Sequence, residues 1–242
     1  MPSAQLLAVV VPAHNEELTI EPCLESIYDS LDHPEVRGIP AMVVAVLDDC
    51  SDTTGDRVLP RRRPPTAVIE IRARNVGIAR SIGFQAALDA GAGLPPETVW
   101  LATTDADSVV PADWMARQLA WRSRGAQAVA GTVRVSSWCE QPSPVMRAYD
   151  SHMAILGLTH GHPHVHGANL SMSAHAYLAA GGMPPLAHSE DHALWTRLKR
   201  VGVRTVSAGD LAVETSARRE GRAGQGFSDL LRSFEMGSAA TP

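Results

Sequence analysis

Two aspartates one residue apart, Asp105 and Asp107, directly follow an apolar run, and Pro111 then interrupts the chain. Two carboxylates this close repel each other unless a cation lies between them or water screens them. A hard divalent ion that keeps some of its waters and also binds phosphate oxygens suits such a pair. Taken alone, the pattern fits either a metal–diphosphate site or solvated acids in a turn, where aspartate is common.

The elements that would position this pair are four short apolar runs separated by helical patterns. A helix with Thr19 as N-cap is predicted over 20–31, and a helix rich in small residues, suited to close packing, is predicted from 76 to about 90. This alternation predicts an α/β fold with a mostly parallel sheet covered by helices on both faces, whose ligands bind beyond the carboxyl ends of the strands. The predicted strands are 6–11, 41–47, 67–71 and 99–103, and three of them end in polar clusters, "PAHNEE", "LDDCSD" and "TTDADS".

The second half is less regular. It contains a strand within 126–135, a helix over 142–158, a helix over 189–202 with Ser189 as N-cap, and a late strand within 203–219. Histidines stand at the alternate positions 160, 162, 164 and 166, so they could project on one side of an extended segment. An imidazole metal site and ordinary loop residues near an acceptor both fit this pattern.

Composition narrows the class of protein. The chain has 242 residues, 45% of them hydrophobic, and a net charge of −5, which gives no global attraction for nucleic acid. No apolar run approaches the roughly 20 residues needed to span a membrane. Three widely spaced cysteines form neither a disulfide framework nor a metal-binding pair. We therefore expect a soluble, cytoplasmic globular enzyme with no transmembrane segment; its oligomeric state is not indicated.

Six segments in order, "VVVPAHNEELTI", "VLDDCSDTTGD", "NVGIARSIGFQAAL", "TTDAD", "VHGANLSMSAHAYLAAGGM" and "SEDHALWTRLKRVG", resemble the family 2 glycosyltransferases of the GT-A fold. The resemblance runs from about residue 6 to 219 and implies a Rossmann-like GT-A domain over 1–217. Its nucleotide-binding half would span about 1–110 and its acceptor half about 111–217, followed by an Arg/Gly-rich tail over 218–242. It implies metal-dependent, inverting transfer of a sugar from a nucleoside-diphosphate sugar to a hydroxyl of a small-molecule or lipid-linked acceptor. A UDP-sugar is the favoured donor and a GDP-sugar the second.

The resemblance also implies roles for particular residues. Asp107 would bind Mn²⁺ or Mg²⁺ directly, Asp105 would contact the ribose or reach the metal through water, and Asp191 would be the general base beside Glu190, which would orient the acceptor. Arginines 218, 219 and 222 could add positive charge at the leaving group. The remaining nucleotide-sugar contacts would be Pro12, His14, Glu16, Asp48, Asp49, Arg80, Gly167 and Asn169.

Several of these residues could instead have purely structural roles. Arg80 could be a solvated arginine on a helix face, and Asp49, Ser51 and Asp52 could build an Asx-type turn. Glu190 and Asp191 could simply pair with a helix dipole.

Two further functions are open at this stage, a non-catalytic nucleotide-sugar-binding protein of the same fold and a sugar nucleotidyltransferase. The second would need a glycine-rich phosphate loop with a basic residue after the first strand, and "VPAHNEELT" has none. The Gln-x-x-Arg-Trp pattern of processive synthases is also absent, which favours single transfer.

Overall fold

A computed structural model of the chain describes residues 3–58, 65–135, 151, 162 and 164–215. Short 3₁₀ turns at Pro96–Thr98 and Gly167–Asn169 directly precede the strands Val99–Thr103 and Leu170–Ser173. The described strands are β1 (Leu6–Ala13), β2 (Ala41–Asp48), β3 (Thr66–Ile71), β4 (Val99–Thr103), β5 (Ser108–Val109), β6 (Ala128–Val135), β7 (Leu170–Ser173) and β8 (Thr205–Thr215). The described helices are α1 (Ile20–Leu31), α2 (Thr54–Arg57), α3 (Val76–Ala90), α4 (Trp114–Ser123), α5 (Ala174–Ala179) and α6 (Glu190–Arg200).

All eight described strands form one sheet in the order β3-β2-β1-β4-β7-β6-β8-β5. The four predicted strands make a continuous parallel block, β3-β2-β1-β4. β7 then pairs antiparallel with both β4 and β6, while β6 and β8 are parallel and β5 is antiparallel to β8. The predicted fold class, a mostly parallel α/β sheet, is therefore confirmed. The carboxyl ends of β1, β2 and β4 lie side by side, so the polar clusters that follow them share one edge.

Helices cover both faces of this sheet, and the alternate side chains of β1 pack in two separate cores. Leu7, Val9 and Val11 pack in one core with residues of α1 and α4. Ala8 and Val10 pack in the other core with residues of α3, α5 and α6. A strand buried on both faces needs an unbroken apolar run, which is what the sequence of β1 supplies.

The structure corrects the two predicted helix caps. Thr19 and Ser189 stand at the N-cap positions of α1 and α6, but neither side chain accepts a capping hydrogen bond. The Thr19 hydroxyl instead donates to the Glu16 carboxylate at 2.7 Å, and Ser189 adopts left-handed backbone with φ 58°. Thr19 therefore does not cap α1 because its hydroxyl donates to Glu16, and Ser189 in its left-handed conformation does not cap α6. Apart from residue 151, the predicted helix over 142–158 lies outside the described residues, as does the predicted tail over 218–242.

The predicted close packing of α3 is present at Gly83. A Cβ at Gly83 would lie 2.4 Å from Cγ1 of Val10 and 3.1 Å from Cγ2 of Val46. The helix therefore lies directly on the middle of β1 and β2, close enough for its side chains to reach the carboxyl-end edge. Among the described residues, no helix is both long and apolar enough to cross a membrane.

We predict that Gly83→Ala destabilises the protein although alanine is the better helix former by about 1 kcal/mol. The added methyl overpacks two valines of the central strands, which costs about 1–3 kcal/mol, so a net loss is expected in urea unfolding. Gly38→Ala is the matched control because a Cβ there meets no atom within 4 Å. A Gly83 variant as stable as the control would contradict the close contact.

Candidate active site

The loops after β1 and β2 are joined by side-chain hydrogen bonds at the carboxyl-end edge. The Nδ1 of His14 lies 2.6 Å from the carbonyl oxygen of Asp48, to which it donates. Asn15, in left-handed backbone with φ 54°, accepts the Ser51 N–H on its Oδ1 at 2.7 Å. The two loops, which the sequence separates by more than 30 residues, are thus held as one unit.

Two more polar residues of this edge have internal partners. Glu16 is buried, and its backbone N–H donates to Oγ1 of Thr54 at 2.7 Å. Asp52 accepts the N–H of Thr54, two residues on, at 3.0 Å, which is the Asx-type turn considered for this segment. Pro12 lies half-buried near the end of β1, just before the loop. The predicted nucleotide contacts Pro12, His14 and Glu16 are therefore brought together, and whether they touch a nucleotide stays a prediction.

The adjacent aspartates Asp48 and Asp49 have different surroundings. The buried Asp48 carboxylate accepts three backbone N–H groups, those of Ala73 and Arg74 on Oδ1 at 2.7 and 2.8 Å and that of Asn75 on Oδ2 at 2.8 Å. Asp49, with φ 53° and a side chain 35% exposed, accepts Nε of Arg74 at 2.6 Å. Asp48 shapes the turn into α3, and Asp49 is the member of the pair that faces open space.

Asp49 is one wall of a cavity of about 550 Å³ beyond the ends of β2 and β3. This size lies within the range of small-molecule sites, and its position at strand ends is where ligands of open α/β sheets bind. The lining combines acidic, thiol and apolar side chains with one arginine: Leu47, Asp49, Cys50, Asp52, Gly55, Asp56, Glu70, Ile71 and Arg72.

Arg80 of α3 is buried at the centre of the edge, with 3% of its side chain exposed. Its guanidinium forms ion pairs with Asp105 and Glu190, and its Nε donates to Oγ1 of Thr103 at 3.3 Å. Burial lowers the pKa of Arg80, but the charges of Asp105 and Glu190 outweigh this and raise it. Arg80 is therefore a charged internal group and not the solvated arginine of a helix face.

Asp191 lies at the start of α6 and is held by backbone donors on both oxygens. The N–H of Gly167 donates to Oδ2 at 2.7 Å and the N–H of His192 donates to Oδ1 at 2.7 Å. Each oxygen keeps a second lone pair for another donor. A carboxylate fixed in this way is oriented to accept a proton from a group bound in front of it.

Gly167 has a steric role that the sequence alone did not indicate. A Cβ at Gly167 would lie 2.2 Å from Nη2 of Arg80, so the guanidinium packs directly against the Gly167 backbone. The resemblance predicts that this glycine admits a sugar; the group it admits in the structure is Arg80.

Asn169 is almost fully buried and its carboxamide is used by the fold. Its Nδ2 donates to the carbonyls of Thr132 and Leu211, both at 2.9 Å, and its Oδ1 accepts Nε1 of Trp114 at 2.9 Å. These bonds join β6, β8 and α4 behind the edge. A direct contact between Asn169 and a sugar hydroxyl stays a prediction.

The loop that carries Asp105 and Asp107 is anchored from three sides. The Asp105 carbonyl accepts the Ser108 N–H at 3.0 Å and the Cys23 thiol at 3.3 Å. The Thr215 hydroxyl at the end of β8 donates to Oδ1 of Asp107 at 3.5 Å. Burial, reinforced by the charges of Asp107 and Asp105, raises the pKa of Cys23, so its thiol stays protonated.

The same loop provides the carboxylates that could hold a divalent ion. Within the described ranges, no three His, Cys, Asp or Glu side chains form a group that could hold a metal alone. Mg²⁺ and Mn²⁺ suit sites with one or two carboxylates, because they complete their shell with water and substrate phosphate oxygens. Since Asp105 is already paired with Arg80, Asp107 is the residue that best fits direct coordination. The residues present therefore fit such an ion.

Glu190 faces inward, towards Arg80, with only 5% of its side chain exposed. Burial raises the pKa of Glu190, the charge of Arg80 opposes the shift, and Asp191 adds to it. Its predicted role of orienting the acceptor would have to be indirect, because the carboxylate is engaged by Arg80.

His162, His164 and His166 are the described members of the alternate series of histidines over 160–166. The rings of His164 and His166 stack with centroids 5.8 Å apart, so these alternate positions do share one side. Burial lowers the pKa of His166 to about 3, and His164, His192 and His162 act in the same direction. His166 is therefore neutral near pH 7. His160 lies outside the described residues, and an imidazole metal site stays an untested prediction.

The sequence model of Glycosyl transferase family 2 matches residues 8–177, which is most of the chain. The chain belongs to glycosyl transferase family 2. The predicted family and the predicted enzyme class, a glycosyltransferase, are confirmed. A comparison with curated protein sequences finds no match.

Solved structures similar to this family 2 chain share its fold at low sequence identity. Residues 1–349 of S. aureus TarS in complex with UDP-GlcNAc superpose with a TM-score of 0.66 at 16% identity, covering 91% of this chain and 61% of that one. The mannosyltransferase PcManGT from Pyrobaculum calidifontis, in complex with GDP-Man and Mn²⁺, gives 0.65 at 22% identity, covering 91% and 59%. GalNAc-T7 with UDP, GalNAc and Mn²⁺ gives 0.64 at 16% identity, covering 89% and 44%. The chain thus spans about 60% of the TarS and PcManGT chains.

Several residues that build the site were outside the sequence predictions. Thr103 accepts a hydrogen bond from Arg80, and Thr215 donates one to Asp107. Trp114 donates one to the carboxamide of Asn169. Thr103 and Trp114 flank the segment that carries Asp105 and Asp107, but nothing in their local pattern marks them as partners of distant groups. Thr215 belongs to β8, which approaches the loop only through the topology of the sheet.

We predict that the free energy of unfolding falls on acidification from pH 6.5 to 5. In this range the imidazole of His166 stays neutral in the folded state but becomes protonated in the unfolded state, which favours unfolding. Its pKa is about 3 in the folded state and about 6.5 in the unfolded state. The unfolded state thus binds more protons in this window, so the free energy of unfolding rises with pH. His166→Gln should reduce the slope of the free energy of unfolding against pH, measured in urea, by the equivalent of up to about one proton. His188→Gln, at an exposed position, should not; equal slopes in the wild type and both variants would contradict the assignment.

Proposed function

We propose that the chain is a metal-dependent, inverting glycosyltransferase that moves a sugar from a nucleoside-diphosphate sugar to a hydroxyl acceptor. The observation that carries the proposal is the convergence of three features at one edge of the sheet. These are the cavity beside Asp49, the loop of Asp105 and Asp107, and the oriented carboxylate of Asp191. Together they offer a site for a nucleoside, a site for a diphosphate and a base.

The proposed chemistry is a single displacement. Asp191 accepts the proton of the acceptor hydroxyl while that oxygen attacks the anomeric carbon of the donor sugar. The bond from the anomeric carbon to the diphosphate oxygen breaks, and the nucleoside diphosphate leaves from the opposite face. Asp107, with Asp105, would hold Mn²⁺ or Mg²⁺, which would neutralise charge on the departing diphosphate. No covalent sugar–enzyme intermediate is needed.

The donor proposal favours a UDP-sugar, with a GDP-sugar second. The likeness to TarS with UDP-GlcNAc and to PcManGT with GDP-Man and Mn²⁺ supports these two classes without separating them. The acceptor is proposed as a small-molecule or lipid-linked hydroxyl compound. Residues 1–217 are proposed as the catalytic unit and 218–242 as an added tail, with action in the cytoplasm, which the free thiols of Cys23 and Cys50 suit.

We expect thermal unfolding to identify the nucleotide. UDP, GDP, CDP, TDP and ADP are compared with and without Mn²⁺; a ligand at about 100 times its Kd stabilises by about 2.7 kcal/mol, which moves the midpoint by several degrees. One base should give a shift that depends on the metal. No shift with any nucleotide, or an equal shift without metal, would count against the proposed donor site.

Two aspartate variants should separate the metal site from the base. Asp107→Asn and Asp191→Asn should both lose transfer by at least about 10²-fold, the usual contribution of a catalytic base or a fixed charge. Only Asp107→Asn should weaken metal-dependent nucleotide binding, as measured by calorimetry. Asp89→Asn, exposed on α3 with its carboxylate accepting Nε2 of Gln85 at 2.9 Å, should keep both properties.

Equal loss of nucleotide binding in both variants would contradict the division of roles. Nucleotide and metal binding without any transfer by the wild type would instead favour the non-catalytic alternative.

A further inference from the structure

Arg80 contacts both sides of the proposed reaction from one buried guanidinium. Its Nη2 pairs with Asp105, in the loop that would hold the donor diphosphate. Its Nη1 pairs with Glu190, the residue before the proposed base. Its Nε donates to Thr103 at the end of β4 at 3.3 Å, which fixes the plane of the fork relative to the sheet.

A second path joins Arg80 to the base through Gly167. The guanidinium packs so closely on this glycine that a Cβ would lie 2.4 Å from Cζ. The N–H of the same glycine donates to Oδ2 of Asp191 at 2.7 Å. The position of the Arg80 fork therefore limits where the Gly167 backbone, and with it the Asp191 carboxylate, can lie.

The N-terminus of α3 holds the segment that leads into the base. The N–H of Gly77 donates to the carbonyl of Leu186 at 3.1 Å, and a Cβ at Gly77 would lie 2.4 Å from the carbonyl oxygen of Pro184. Asn75, the N-cap of α3, donates from Nδ2 to the carbonyl of Pro185 at 3.3 Å. α3 thus contacts the chain just before α6 as well as at its first residue.

We infer that Arg80 is a positioning residue that sets the separation of the donor loop and the base, and is not a ligand of the nucleotide. The inference rests on the proposed function. With 3% of its side chain exposed and its three nitrogens donating to Thr103, Asp105 and Glu190, Arg80 presents almost no surface to a diphosphate. An in-line displacement requires nucleophile and leaving group at a fixed separation, and an error of about 1 Å can cost about 10²-fold in rate.

Arg80→Lys tests this role because lysine keeps the charge but loses the planar fork that can contact both carboxylates. The expected result is a fall in kcat of about 10²-fold, while the Kd for UDP or GDP with Mn²⁺ stays at the wild-type value. The matched control is Arg122→Lys on α4. Arg122 is also buried and donates to the Glu97 carbonyl at 2.7 Å, but it lies outside the site, so its variant should lose stability without losing kcat.

A readout that needs no turnover is amide hydrogen exchange at Gly167 and His192, whose N–H groups hold Asp191. Both amides should exchange about tenfold faster in Arg80→Lys and stay unchanged in Arg122→Lys. Asp105→Asn should also speed their exchange, although neither N–H donates to Asp105 in the described structure. Such an effect would pass through the Arg80 fork.

Two results would overturn the inference. If the Kd for the nucleotide rises as much as kcat/KM falls while kcat is unchanged, Arg80 is a direct ligand. If kcat and the exchange rates both equal those of the wild type, it positions nothing. A wild type without transfer activity would defeat the proposed function alone, since the exchange comparison still decides the role of Arg80. Should Arg80→Lys fail to fold, Glu190→Gln breaks one ion pair with an isosteric side chain and is expected to give the same pattern.

Discussion

The compensation of one buried positive charge organises the whole carboxyl-end edge of the sheet. Removing a guanidinium from water costs several kcal/mol, and this is offset only when its carboxylate partners are correctly placed. Arg80 has two such partners, Asp105 after β4 and Glu190 at the start of α6, which stand 85 residues apart in the chain. Moving either segment away would break one of the two ion pairs of this buried guanidinium. The electrostatics of the interior therefore determine the position of surface groups that a substrate would meet.

The steric counterpart of this ion pair is a set of three glycines around α3. Gly83 allows the helix to lie on β1 and β2, Gly77 allows it to meet the chain before α6, and Gly167 allows the guanidinium to lie against backbone. Each contact is closer than a Cβ would permit. Interiors are packed nearly as densely as organic crystals, so these approaches fix α3 within a small range. The charge of Arg80 can then act at a defined point.

How far sequence predicts such a site depends on whether a signal is local. The apolar runs of β1, β2 and β4 and the polar residues after them were found because side-chain periodicity and strand ends are written in consecutive residues. α4 and β7 were not predicted. β7 is a short strand buried between β4 and β6, so it lacks the alternation of apolar and polar residues that reveals a surface strand. The partners of Arg80 depend on segments that only the tertiary fold brings together.

The pair Asp48 and Asp49 shows why a motif cannot assign roles by itself. Both are aspartates at the end of β2, and a resemblance gives them the same expected contact. The Asp48 carboxylate is used by three backbone N–H groups of the turn into α3, whereas Asp49 lies in left-handed backbone that turns its side chain to the cavity. The first therefore fixes the turn into α3, and the second lies at the cavity, where it can meet a ligand. The same division separates Glu190, held inside by Arg80, from Asp191, whose oxygens are oriented by backbone donors. In each pair the fold uses one carboxylate as structure, while local backbone geometry gives its neighbour a fixed direction.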